Sequence, residues 1–348
     1  MNSIDALGQW ALAPRALLAF LPVLLFLLAL KLLDSFHLLR ARRIWYALGA
    51  GCLGGLVSYV INSALLDLTG LSVMRFAVLI APVVEELVKA TYLIWAIRSQ
   101  RISFLVEAVA LGFAVGTGFS LVENAYYLSH LGKAPLLVWI IRGFGTAVMH
   151  AGVTGILAAL AVGFRRPGRG GDFWLWVGAP LVAAALHAAF NRALVQPIVA
   201  TVSVAVLLPL VLRLVYGLGE RRLRRWLGRG FDRDTELLVL IREGKVRETP
   251  LGQYLLSLRR TFRPDMVADM LCLLRLQAEL SIRAKGMLLL RENGLRPNPD
   301  PEIRARLEEL SWLERAVGKT GLLALRPVRP WTSRDLWQRH LLEDSQPR

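Results

Sequence analysis

Cysteine is nearly absent from this chain: two in 348 residues, Cys52 and Cys272. Cys52 falls in an apolar run and Cys272 in a polar one, so the two are expected in different phases. That excludes a disulfide between them, and no spacing offers a thiolate-held zinc. Histidine is scarce as well, at five residues, and no His-Glu-x-x-His is present. Acid is short against base, with 26 Asp and Glu facing 42 Lys and Arg, a formal charge of +16. Yet 55% of the chain is hydrophobic. Soluble domains seldom combine such apolarity with such basicity. Membrane proteins do, because apolar spans and basic segments occupy different places.

Long apolar runs are what the chain does have. A bilayer core takes about 20 apolar residues per helix. Runs of that kind cover about 14–33, 44–66, 71–97, 104–128, 135–164, 173–195 and 197–218. The sequence therefore predicts an all-α, polytopic membrane protein with about seven transmembrane helices. The first run lacks a basic leader and a small-x-small cleavage site, so it reads as a retained span. Basic residues alternate between the loops. Arg40, Arg42 and Arg43 follow the first run, Arg98 and Arg101 the third, Arg165, Arg166 and Arg169 the fifth, and Arg221, Arg222, Arg224 and Arg225 the last. The other loops hold only Lys133. The positive-inside rule then puts the N-terminus outside and the C-terminus in the cytoplasm, with the cell membrane as the location.

Charge density changes near Gly219. Up to it stand 16 Lys and Arg with 8 Asp and Glu; beyond it stand 26 with 18. We divide the chain into a membrane domain, 1–218, and a basic helical cytoplasmic domain, 219–348. In the second, residues 235–242, 251–260, 264–291 and 302–317 show helical periodicity, and Gly294, Pro297 and Pro299 break it into two parts. The basic run from Arg221 to Arg229 follows a span directly and is expected against anionic lipid. Its mixture with acids argues against nucleic acid. The domain's role, including a cytoplasmic partner, stays open.

Ionisable groups inside spans cost a few kcal/mol each, so they mark function. The third run holds Glu85, Glu86 and Lys89 after Pro82, which predicts a kink. The fourth holds Phe119, Glu123 and Asn124, the fifth His150, and the sixth His187 and Asn191. Glu85 and Lys89, four apart, share a helix face; Glu86 and Lys89, three apart, nearly do. His187 and Asn191, also four apart, are expected to aim at one target. Counting about 1.5 Å per residue from the run centres puts Glu85, His150 and His187 at one depth, with Glu123 about 10 Å further out. A carboxylate and imidazoles around one water form a general-base system, with further donors for an oxyanion. No Ser or Cys has a base partner nearby, which favours activated water over a covalent nucleophile.

The series Glu-Glu-x-x-Lys, Phe-x-x-x-Glu-Asn, a lone mid-helix His and His-x-x-x-Asn, over about 74–191, resembles the PrsW family of intramembrane proteases. That family lies within the superfamily of the type II CAAX prenyl endopeptidases. The resemblance implies that Glu85 activates water, that Glu86 and Lys89 shape its charge, and that His150 assists. His187 and Asn191 would then steady the oxyanion, while Glu123 stands where CAAX endopeptidases commonly have His. Phe119 and Asn124 support the site. Lys89 stands where the wider superfamily tends to have Arg one residue later, and Thr154 where Gly is expected. The implied substrate is a membrane protein, such as a single-pass anti-sigma factor. Glu85, His150 and His187 could hold Zn²⁺; without His-Glu-x-x-His, the expectation is a metal-independent, glutamic-type site with no cofactor.

The alternative is a non-catalytic scaffold or a proton-coupled carrier, since intramembrane Glu and His also mark proton relays; the sequence shows no internal symmetry of the carrier kind. Glu85, Glu86 and Lys89 could also be a structural ion pair, and Asn124 and Asn191 could bridge helices. Arg142 and Arg192 receive no chemical role. Gly49, Gly51 and Gly54 fit a Gly-x-Gly-x-x-Gly pattern, but no strand precedes them, so close helix packing is expected there and at Gly112, Gly116 and Gly118.

Overall fold

A computed structural model describes residues 3–163, 173–192, 196–295, 300–328 and 336–343. The basic residues Arg165, Arg166 and Arg169, the breakers Pro297 and Pro299, and the side chain of Arg229 lie outside the described set. All regular structure among the described residues is helical. We number the helices α1 (Ser3–Leu32), α2 (Ala41–Thr69), α3 (Val73–Leu79), α4 (Ala81–Arg98), α5 (Leu105–Leu131), α6 (Leu136–Gly163), α7 (Trp174–Asn191) and α8 (Pro197–Arg242). Then come α9 (Pro250–Leu258), α10 (Pro264–Glu292), α11 (Pro301–Ala324) and α12 (Leu336–Glu343). Two compact units result, residues 1–34 with 38–220, and 35–37 with 221–348.

Among the described residues, six helices are long and apolar enough to cross a membrane. The seventh apolar run is divided. Pro82 offers no N–H to the carbonyl one turn before it, and the chain breaks at Ile80, between α3 and α4. The kink expected from Pro82 is thus a full break. At the end of α2, Gly70 takes a left-handed conformation (φ 61°) and returns its N–H to the Leu66 carbonyl.

The buried centre of this unit is α5, packed between α2 and α6. Small residues permit the close approach: a Cβ on Gly51 would lie 2.0 Å from the Val115 carbonyl oxygen, and one on Gly116 2.4 Å from that of His150. Gly51, Gly112, Gly116 and Gly118 pack closely as expected, whereas a Cβ on Gly49 would meet nothing within 4 Å and one on Gly54 only the Val88 side chain at 3.4 Å. Arg43 pairs with Glu107 and with the Arg101 carbonyl, while Glu107 also accepts from the Ser103 N–H at 2.9 Å. These bonds bring the first and third basic loops to one end of the bundle.

In the second unit, α10 and α11 pack side by side. Thr249 caps α9 by accepting from the Gly252 N–H, and Asp300 caps α11 by accepting from that of Glu302. The periodic stretch 235–242 is not a helix of its own. It continues α8, which runs 46 residues from Pro197 without a stop. Its residues past Gly219 change in charge but not in helix-forming ability, so composition marks a boundary where the backbone has none.

Candidate active site

Four helices of the first unit each bring part of one cluster. Within α4, Glu85 and Glu86 are adjacent and so diverge by about 100° around the axis. Glu86 is fully buried. Its Oε1 accepts from Lys89 Nζ at 2.8 Å and from His187 Nδ1 at 3.0 Å. Glu85 turns the other way, accepting from Asn62 Nδ2 of α2 at 3.2 Å, with its second oxygen 3.9 Å from His187 Nε2. Helical spacing alone pointed to Glu85, four residues away, ahead of Glu86 as the partner of Lys89. The structure selects Glu86, because the i,i+3 face is the one directed at His150 and His187.

Lys89 is enclosed on every side. Besides Glu86 it approaches His150 Nδ1 at 3.0 Å, and its ammonium stands 4.0 Å from the Phe119 ring centroid. An ammonium has only protons to give, so His150 Nδ1 accepts and the ring proton sits on Nε2. That Nε2 lies 2.9 Å from Glu123 Oε2. At His187 the logic reverses: Nδ1 faces a carboxylate and carries the proton, which leaves a lone pair on Nε2, toward Glu85. The two imidazole rings meet edge to face, 4.6 Å between centroids.

Glu123 is thus in the cluster. The 10 Å offset counted from the sequence does not separate the groups, because α3 and α4 are not one cylinder and α6 contains a π-helical stretch, Ile141–Ala147. Asn191 behaves differently from its expectation of sharing a target with His187. Its Nδ2 donates to the Ala77 carbonyl at 3.0 Å, at the break between α3 and α4. Asn124 donates to the Ala19 carbonyl of α1 at 2.8 Å and accepts from Arg142 Nε at 2.9 Å. Both asparagines bridge helices. Arg142, which carried no expected role, also stands 3.2 Å from Glu123 Oε1. The signal that finds it is charge parity within the cluster, where Glu85, Glu86 and Glu123 face one lysine, Lys89.

Residues 40–215 match the family described as PrsW family intramembrane metalloprotease. The chain belongs to the PrsW family. Every site residue named here, from Asn62 to Asn191, lies within the PrsW match, and the family carries intramembrane proteolysis to this chain. No curated protein and no solved structure matches it.

The donors can be tested against the metal in the family's description. Glu85, His150 and His187 offer ligand atoms that all lie within 4.8 Å of one another. One carboxylate and two imidazoles form a recurrent set for catalytic Zn²⁺. Glu86 behind His187 supplies the carboxylate that fixes a ligating imidazole's tautomer. The buried Oε2 of Glu86 makes no hydrogen bond within the protein. Glu85 and the open Nε2 of His187 fit a divalent cation as they stand, and His150 joins them on releasing its Nε2 proton.

Proposed function

We propose that this PrsW-family protein hydrolyses a peptide bond of a single-pass membrane protein, with Glu85 as the base that deprotonates the attacking water. The observation that carries the reading is the convergence of Glu85, His150 and His187 within 4.8 Å. Exposure selects among the carboxylates. The Glu86 side chain is 0% exposed and committed to two donors, whereas that of Glu85 is 16% exposed and can meet water. As the water oxygen bonds to the carbonyl carbon, its proton passes to Glu85. When the C–N bond breaks, the leaving nitrogen takes a proton back, completing the acid–base cycle. His187, its Nδ1 proton held by Glu86, and His150, held between Lys89 and Glu123, fix the polar wall of the site. Asn191 joins as an oxyanion donor once it releases the Ala77 carbonyl.

Glu85, His150 and His187 are the residues that would hold a divalent metal. Bound there, it would polarise the scissile carbonyl and make the water more acidic. One observation favours the metal-independent, glutamic-type reading: Lys89 already places a cation 3.0 Å from His150. A chelator series with metal analysis of the purified protein separates the two.

The substrate implied by the family resemblance is of the anti-sigma factor kind, in a cell membrane. We place the N-terminus outside and the C-terminal unit in the cytoplasm, with exposed Arg221, Arg222 and Arg225 against anionic lipid. Cys272 is exposed, so an impermeant maleimide should label it in inverted vesicles and spare it in right-side-out ones.

The main experiment reconstitutes the full chain with a tagged single-span reporter whose mid-span is unwound by glycine. Glu85→Gln and His150→Ala should each lower cleavage about a hundredfold or more. Undiminished cleavage in both variants overturns the site. Transport of protons without any cleavage would favour the carrier instead.

A further inference from the structure

Arg142 sits near the start of the π-helical stretch Ile141–Ala147, inside an otherwise α-helical span. Such insertions change which side chains face a neighbour and recur at functional sites. An arginine within a span ordinarily snorkels to water. This one is 13% exposed at its side chain and turned inward. Three residues of α5 hold its guanidinium. Nη2 lies 3.2 Å from Glu123 Oε1, Nε donates to Asn124 Oδ1 at 2.9 Å, and the group stacks 3.8 Å from the Tyr127 ring centroid. Asn124 is itself anchored to the Ala19 carbonyl of α1. The other oxygen of Glu123 is the one 2.9 Å from His150 Nε2.

We propose that Arg142 is a positioning residue, which holds one oxygen of Glu123 so that the other stays against His150. The inference rests on the proposed active site, but neither the family description nor the motif series assigns this arginine. Asn124 acts as a strut: it sets the guanidinium's plane through Nε, so that Nη2 is left for Glu123. A lysine could supply the charge but not both contacts at once.

The full chain, labelled with ¹⁵N-histidine in lipid nanodiscs at one fixed pH, tests this directly. It has five histidines, and His150→Gln and His187→Gln assign the two ring signals of interest. Arg142→Gln should move the His150 ring-nitrogen resonances to where Glu123→Gln moves them, leaving His187 in place. Arg142→Lys should fall between. In the reporter assay, Arg142→Gln should lower kcat roughly tenfold or more with KM unchanged. A wild-type His150 signal in Arg142→Gln overturns the proposal. So does an equal disturbance of His150 and His187 with a lowered unfolding temperature, which would mean a purely structural role. The spectra need no turnover. A wild-type protein that cleaves nothing, with the His150 response intact, would sink the proteolytic reading and leave this one standing.

Discussion

Among the described residues two lysines are buried, one in each unit, and they share a simple plan. Lys89 meets Glu86 at 2.8 Å beside Phe119, and Lys285 meets Asp234 at 2.6 Å beside Trp226. What differs is the next layer. Around Lys89 stand His150, His187, Glu85 and Glu123, four more groups able to move protons or bind a cation. Beside Lys285 stands Trp226, whose ring in turn meets that of Trp337, 5.6 Å apart between centroids. A buried pair with only an aromatic ring beside it is a tie between α8 and α10. A buried pair opened onto imidazoles and a water-accessible carboxylate is equipped for chemistry. Burial of charge alone therefore does not set the candidate site apart; its proton-carrying neighbours do.

The comparison breaks most visibly at Lys89. Lys89→Met removes the cation between Glu86 and His150, so reporter cleavage should fall by about a hundredfold or more. The purified protein should also lose about 3–5 kcal/mol of stability, because Glu86 is left buried and charged. Lys285→Met should cost a similar 3–5 kcal/mol or so, confined to the second unit and read by limited proteolysis. Its cleavage rate should stay near wild type. If that rate collapses instead, the second lysine is more than a tie. Replacing the whole tie, Asp234→Leu with Lys285→Met, should recover most of the loss, since an apolar pair of similar volume fills the same space. The corresponding pair Glu86→Leu with Lys89→Met should stay inactive whatever its stability. The smallest effect is expected from Phe119→Leu, which removes the ring under Lys89 and should cost about 1–2 kcal/mol in thermal unfolding.

Much of the site could be read along the chain. Glu85, Glu86, Lys89, Glu123, His150 and His187 stand out because each ionisable group in an apolar run is costly, and their order resembles one family. Three points were not legible. Asn191 shares a helical face with His187, yet its amide is taken by a carbonyl beside the break at Ile80, which no spacing rule foresees. Glu123 was placed too far out because depth was counted along straight helices, and neither the α3–α4 break nor the π-helical stretch of α6 obeys that count. Arg142 was passed over because its partner lies on another helix.

The sequence by itself determined that the chain is helical and membrane-spanning, which residues are candidates for the chemistry, and where charge density changes. These follow from local quantities: apolar run length, 3.6-residue periodicity and the cost of an in-span charge. Only the tertiary structure decided which carboxylate Lys89 takes, which partner each histidine nitrogen faces, and that Arg142 reaches Glu123. Those outcomes depend on how α4, α5, α6 and α7 rotate and slide against one another, and that is set by packing between distant segments, such as Gly116 of α5 lying on the His150 backbone.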